Sequence, residues 1–258
     1  MAIKIDILDK KKNKTKVLIK GLDETYINTL RRLMMNEVPV LAIEDVEIKR
    51  NDSILYDEIV AHRLGLIPLK TDPKSYDLLK PGEPLNAKNS LKLTLKAKGP
   101  GYVYASQIKS TDPKAIPIYP DMPITKLLEN QHLELEATAV MGQGKTHAKW
   151  SSGLFYFHQA TIVTIKKQPD NKEEIAKLFP PGLLEVKNNK LVVADEIMAQ
   201  EAEDFENIHD VVDITLDDSF VFVMEPWGQL TLKETVQEAI RQFDEELETF
   251  QELIKESK

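Results

Sequence analysis

Gly21-Leu22-Asp23-Glu24-Thr25-Tyr26-Ile27-Asn28-Thr29-Leu30-Arg31-Arg32-Leu33-Met34-Met35-Asn36-Glu37-Val38-Pro39 is the stretch from which the fold can be worked out. Tyr26, Ile27, Leu30, Leu33, Met34 and Val38 recur at spacings of three and four, which puts them on one face of a helix. Asp23 or Thr25 can accept the free amides of the first turn, and Asp23 and Glu24 sit at the positive end of the helix dipole. Pro39 closes the helix, because the residue before a proline is pushed out of the α region. Asn28, Arg31 and Arg32 fall beside the apolar stripe. An arginine pair there suits a helix that buries one side and docks a partner with the other. Taken alone, it equally describes a core helix with a solvated arginine pair.

A second helix changes that balance. Thr231-Leu232-Lys233-Glu234 has the form of a capping box. From it Leu232, Val236, Ile240, Phe243, Leu247, Phe250 and Ile254 recur in steps of four, four, three, four, three and four, a coiled-coil type of seam. So long and one-sided a helix cannot bury its stripe against a small local sheet alone. It needs another helix, and residues 26–38 supply one. Two such helices from each of two chains would make a four-helix interface.

The segments between are mostly extended. Ile3, Ile5 and Ile7 alternate, as do Thr15, Val17 and Ile19, predicting a hairpin with a lysine tip. Residues 42–49 alternate as a strand, and Asp57 to Leu69 holds a short helix for which Gly65 suits the C-terminal cap. Strands are expected around Leu91–Leu95, Tyr102–Ser106, Leu133–Ala139 and 154–166, the last closing a β-rich unit. Residues 110–131, with four prolines, are expected to be irregular. Beyond 168 come a polar linker, a short hairpin at 183–193 and an acidic helical segment, then strands near 208–216 and 219–225. The fold class is α+β.

With 42% apolar and 29% charged residues among 258, the composition is that of a charged globular protein of one large or two medium domains. No apolar run approaches bilayer length, and the first residues do not have the form of a signal peptide. The absence of cysteine excludes disulfides, thiolate nucleophiles and Cys-held metal clusters, and fits a cytoplasmic protein. The net charge is −8, and the stretch from Leu191 to Leu232 holds eleven Asp or Glu and no Lys or Arg. Phosphate neutralisation supplies most nucleic-acid affinity, so contact with DNA or RNA is expected to be indirect.

Catalytic motifs are lacking. Gly142-Gln143-Gly144-Lys145-Thr146 falls short of a phosphate loop, because position 139 is alanine where the pattern needs glycine. The five histidines show no zinc-type spacing, and no carboxylate pair is arranged for acid–base work. Neither a catalytic residue nor a metal or cofactor site is expected.

Three separated blocks match one family: Asn28-Thr29-Leu30-Arg31-Arg32, Asp57 to Leu69 with His62-Arg63-Leu64-Gly65, and Gly144-Lys145-Thr146-His147-Ala148-Lys149-Trp150. With the first hairpin and the last helix, they make the chain resemble the α-like assembly subunits of RNA polymerases, and among these the archaeal D subunits. The resemblance implies a dimerisation domain built from residues 1–40 and 208–258, an inserted β-rich domain at 41–167 and a ferredoxin-like insert at 168–207. It implies a heterodimer with the smaller subunit L through Tyr26, Ile27, Leu30, Leu33 and Met34 of the first helix. Val236, Ile240, Phe243, Leu247, Phe250 and Ile254 of the last helix would complete that contact. Asn28, Arg31, Arg32, His62, Arg63, His147, Lys149 and Trp150 would then meet the large catalytic subunits and the small subunits N and P. In some relatives the insert carries iron–sulfur ligands; here the matching positions are Phe179, Ala199, Ala202 and Phe205, so the cluster is expected to be absent. The alternatives are a homodimeric adaptor outside transcription, built on the same helices, and a nucleotide-binding module using Gly142 to Thr146.

Overall fold

The computed structural model describes residues 2–79, 82–200 and 211–256. The chain divides into two compact units, residues 1–29 with 155–225 and residues 30–154 with 226–258. Among the described residues no helix is long and apolar enough to cross a membrane.

The first unit is built on a four-stranded sheet of β1 (Lys4–Lys11), β2 (Lys14–Lys20), β12 (Val212–Pro226) and β9 (Gly153–Ile165), in that order. β1 and β2 form the expected hairpin, closing at the Lys11–Lys14 pair. Phe220 and Phe222 pair with Ile19 and Val17, and the alternate residues Leu18, Val221 and Val223 point to the opposite face. Both sets are buried. A strand covered on both faces needs a continuous apolar run, and Phe220-Val221-Phe222-Val223-Met224 is one. β1 lies at the edge, and its Ile5 and Ile7, with Ile3 just before it, stay more than half exposed.

Two expectations change here. The strand at 154–166 does not close the inserted β-rich domain: β9 hydrogen-bonds beside β12. The strands expected near 208–216 and 219–225 are, from Val212 onward, the single 15-residue β12. Asp217 and Asp218 suggest a break in the sequence, but the Asp217 carbonyl accepts the Gln159 Nε2 amide at 2.8 Å and its carboxylate accepts the Ser219 hydroxyl. The polar step is held without a turn.

The rest of this unit is α3 (Lys172–Lys177), the hairpin β10 (Leu184–Lys187) with β11 (Lys190–Val193), and α4 (Glu196–Ala199). Asn188 and Asn189 hold φ of 51° and 59°, the left-handed pair that a two-residue hairpin turn demands. Ile175, Phe179, Leu183, Leu184, Leu191, Ala199, Val211 and Val212 form one apolar cluster beneath it.

α1 (Glu24–Asn36) begins in the first unit and ends in the second. The second unit carries a sheet in the order β3 (Val40–Asn51), β8 (His132–Gly142), β4 (Ser90–Lys98) and β6 (Lys109–Ser110). Leu91, Leu93 and Leu95 alternate into the core with Leu133, Leu135, Ala137 and Ala139 of β8. α2 (Asp57–Gly65) packs Val60 and Leu64 into the same core. Gly65 is the last helical residue and Leu66 the C-cap, so the cap lies one residue later than expected. Gly65 instead allows close approach, since a Cβ there would sit 3.4 Å from the Ile43 carbonyl oxygen.

A two-stranded sheet of β5 (Gly101–Tyr104) and β7 (Pro123–Leu127) completes the β structure of this unit. β7 lies within the proline-rich stretch expected to be irregular. Pro123 is tolerated because it is the first residue of its strand. α5 (Leu232–Glu256) is the last element.

Candidate functional site

α1 starts as its sequence requires: the Asp23 carboxylate accepts the Tyr26 amide at 3.0 Å, which makes Asp23 rather than Thr25 the cap. Of the apolar stripe, Ile27, Leu33 and Met34 are buried within this chain, Leu30 is half-buried and Tyr26 is 60% exposed. Only the last two therefore have surface to offer a partner. Asn28 and Arg31 are half-buried, with the Arg31 guanidinium donating to the Met35 sulfur at 3.5 Å, and Arg32 is exposed.

The C-terminal carbonyls of α1 would be orphans at a bare helix end. The Gly-rich segment after β8 satisfies them. Ser152 Oγ donates to the Met34 carbonyl at 2.6 Å, the Lys145 amide to the Asn36 carbonyl at 3.1 Å, and Gln143 Nε2 to the Glu37 carbonyl at 2.8 Å. The Thr146 amide is taken by the Gln143 carbonyl at 2.9 Å. A phosphate cradle needs converging free amides, and here those of Lys145 and Thr146 are spent on the protein itself. Gly142 to Thr146 is a helix clamp.

α5 is capped as predicted. Glu234 accepts the Thr231 amide at 2.8 Å and the Thr231 hydroxyl at 2.7 Å, while Thr231 Oγ1 accepts the Glu234 amide at 3.3 Å. The hydrogen bonds from the Thr231 side chain and backbone hold the Glu234 carboxyl below its usual range. Only Thr235 and Ala239 are buried along the helix, both in its first half. Val236 and Phe243 are half-buried, whereas Ile240, Leu247, Phe250 and Ile254 are exposed. Leu253, absent from the predicted seam, is 58% exposed and extends it. Arg241 pairs with Glu238 at 2.5 Å and with Glu245 one turn on, bracing the helix on its charged side. The result is a rigid helix with an uncovered apolar stripe.

The structure brings together two blocks that lie far apart in sequence. His62, Ala61, Gly65 and Leu66 of the α2 region face His147 and Lys149 across a cavity of about 190 Å³, with Ile43 and Glu44 forming its floor. Lys149 Nζ donates to the Ile43 carbonyl at 3.1 Å and to the Glu44 carboxylate, and lies 4.5 Å from the centre of the Trp150 ring. Trp150 is buried, and its Nε1 donates to the Val140 carbonyl at 3.2 Å. Trp150 is thus the anchor of this loop rather than a free contact residue. His147 is exposed, with Nδ1 accepting the Lys149 amide at 3.1 Å. Arg63 is exposed but tied back, its guanidinium donating to the Pro123 carbonyl at 2.6 Å.

A second cavity of about 370 Å³ adjoins, where Leu66, Pro68, Tyr119, Met122, Lys149 and Trp227 converge. Tyr119, Met122 and Trp227 carried no periodic signal and were not expected at a site; only long-range folding places them here. Among the described residues no group of three His, Cys, Asp or Glu is disposed to hold a metal ion.

Of the four positions at which the resemblance implied lost cluster ligands, Phe179 and Ala199 both lie in the apolar cluster of the first unit. Ala202 and Phe205 fall outside the described residues.

Comparison with known proteins adds a consistent set of relatives. Residues 46–155 match the family model for the RNA polymerase Rpb3/RpoA insert domain. The DNA-directed RNA polymerase subunit Rpo3 of Pyrococcus horikoshii is 38% identical over 245 residues, covering 93% of each chain. That of Pyrococcus furiosus is 35% identical over 93% of this chain and 92% of its own. The Rpo3 subunit of Methanothermobacter thermautotrophicus is 39% identical over 74% of this chain and 75% of its own.

Proposed function

This chain belongs to the Rpo3 family of DNA-directed RNA polymerase subunits, and from that membership we propose that it is a non-catalytic assembly scaffold. It pairs with the smaller α-like subunit L, and the pair is the platform on which the large catalytic subunits and subunits N and P assemble in the cytoplasm. The observation that supports this reading most directly is the uncovered stripe of α5. Ile240, Leu247, Phe250, Leu253 and Ile254 are each 44–61% exposed on one rigid helix. Covering the exposed half of side chains of this size contributes roughly 0.7–1.5 kcal/mol each, which together with the apolar surface that the partner buries works against the entropy of association.

The degenerate insert fits the same reading. Phe179 and Ala199 contribute apolar volume at positions where the resemblance implied cluster ligands, so the insert would serve as a packed structural module.

Coexpression with an archaeal subunit L, followed by size-exclusion chromatography with light scattering, tests the proposal. The expected species is a one-to-one heterodimer. A homodimer that ignores L would instead support an adaptor outside transcription, and a monomer would remove the pairing altogether.

A further inference from the structure

Ser151 and Ser152 join parts of the second unit that lie far apart in sequence. Ser152 is 1% exposed, and its Oγ donates to the Met34 carbonyl in the last turn of α1 at 2.6 Å. Its own carbonyl accepts the Trp227 amide at 3.1 Å. The neighbouring Ser151 carbonyl accepts Gln229 Nε2 at 3.0 Å. Trp227 and Gln229 lead into the capping box of α5 at Thr231. Gln229, 2% exposed, is also held by its backbone: its carbonyl accepts the Thr71 amide at 2.9 Å, and Thr71 Oγ1 accepts the Leu41 amide of β3 at 3.0 Å. The last turn of α1 and the approach to α5 therefore hang on two consecutive residues of a third segment.

Apolar packing does little to set the direction of α5. Its buried residues are Thr235 and Ala239, both in the first half of the helix. Ile254 lies about 22 Å beyond Ala239 at about 1.5 Å per residue, so a tilt of about 10° at the root carries it about 4 Å sideways, most of the roughly 5.4 Å pitch of one turn. A stripe displaced that far no longer meets the hollows of a facing helix, because the knobs-into-holes fit has side-chain dimensions. Hydrogen bonds are directional where apolar contacts are not. The aim of α5 is therefore decided at its root, where these bonds are.

We propose that Ser151, Ser152 and Gln229 form a clasp that fixes the angle between the end of α1 and α5, so that the exposed stripe of α5 meets its partner already aimed. The inference rests on the scaffold reading above and adds to it the residues that position the pairing surface. None of the three lies on the α5 stripe, and Ser152 and Gln229 are buried, so they act through the helix rather than by contact with the partner. Preorganisation of this kind lowers the ordering cost of association.

The chain has no cysteine, so spin labels on Arg32→Cys and Glu248→Cys, both exposed, report one distance between α1 and α5 in the full chain. Pulsed electron–electron double resonance measures its distribution in the labelled parent and in the same background carrying Ser152→Ala or Gln229→Met. Affinity for subunit L and urea stability are measured on the unlabelled proteins. Gln229 Oε1 has no partner among the described residues, so Gln229→Met removes the bond to Ser151 and an unsatisfied acceptor together. Its stability should change little, while the distance distribution at least doubles in width and affinity for L falls at least fivefold. Ser152→Ala should broaden the distribution in the same way. Distributions as narrow as the parent's in both variants overturn the clasp, even where stability falls, because that is what a merely structural role would give. A broadened distribution with unchanged affinity for L overturns it as well. A parent that does not pair with L overturns the scaffold reading, and the distances then still decide the clasp. Should Ser152→Ala fail to fold, Gln229→Met alone decides.

Discussion

A Cβ placed on Gly144 would lie 2.1 Å from the carbonyl oxygen of Met35. That approach is what lets the following Lys145 amide reach the Asn36 carbonyl and clamp the end of α1. Gly144→Ala must push the clamp off the helix, breaking contacts that hold α1 in the second unit. We expect a loss of about 3 kcal/mol, at the upper end of overpacking penalties, measured as a lower urea midpoint. A midpoint equal to that of the wild type would mean the segment yields without cost and is not a clamp.

Phe243→Asp with Leu247→Asp separates pairing from folding. Phe243 is half-buried and Leu247 is 44% exposed, and α5 buries only Thr235 and Ala239. The unfolding free energy from urea titration should therefore change by less than about 1 kcal/mol, the range of substitutions away from a packed core. Copurification with subunit L should be lost. Retained pairing would show that the stripe of α5 faces something other than L.

The α5 capping box gives a pH signature. The Glu234 carboxyl is held below the ordinary range of a glutamate by its hydrogen bonds with Thr231. A carboxyl depressed in the folded state stabilises above its unfolded pKa, and that contribution disappears as the pH falls through the folded value. Stability of the helix start should therefore drop as the pH falls below the ordinary range of a free glutamate. Thr231→Ala should cost about 1 kcal/mol near neutrality and flatten this part of the profile. Urea midpoints of both proteins across that range decide it; parallel profiles would exclude the box as the source.

How much of this could be seen in the sequence depends on the range of the interaction involved. α1 and α5 were legible because periodicity and capping are local, and Asp23 and Thr231 do what their positions imply. The fused strand β12 was not, because Asp217 and Asp218 look like a turn until Gln159, distant in sequence, supplies a partner. β7 hid among prolines because its first residue needs no amide. At the site, the blocks around His62 and His147 were each visible, but their meeting at one cavity depends on the Lys149 contacts to Ile43 and Glu44. Burial was the least legible property. Ile27, Leu33, Met34 and Trp150 satisfy the pattern of an interface and serve the core, whereas Ile54 and Tyr56 are exposed in a stretch that carried no periodic signal.

The last prediction concerns the insert. Phe179 is 5% exposed, at a position where the family resemblance implied a lost cluster ligand, and it packs in the same cluster as Ile175, Leu183, Leu184 and Leu191. If the side chain fills volume and helps hold β10 and β11 against α3, Phe179→Ala should leave a cavity costing about 3–5 kcal/mol. The cost should be local, because that cluster is distinct from the one formed by Leu18, Ala160, Val221 and Val223 under the main sheet. Hydrogen exchange should therefore show lost protection across 172–193, with the amides of β2 unchanged. Protection lost equally in both regions would mean that the insert is a support for the whole unit rather than a module of its own, and a loss in neither would mean that the Phe179 ring carries no packing weight.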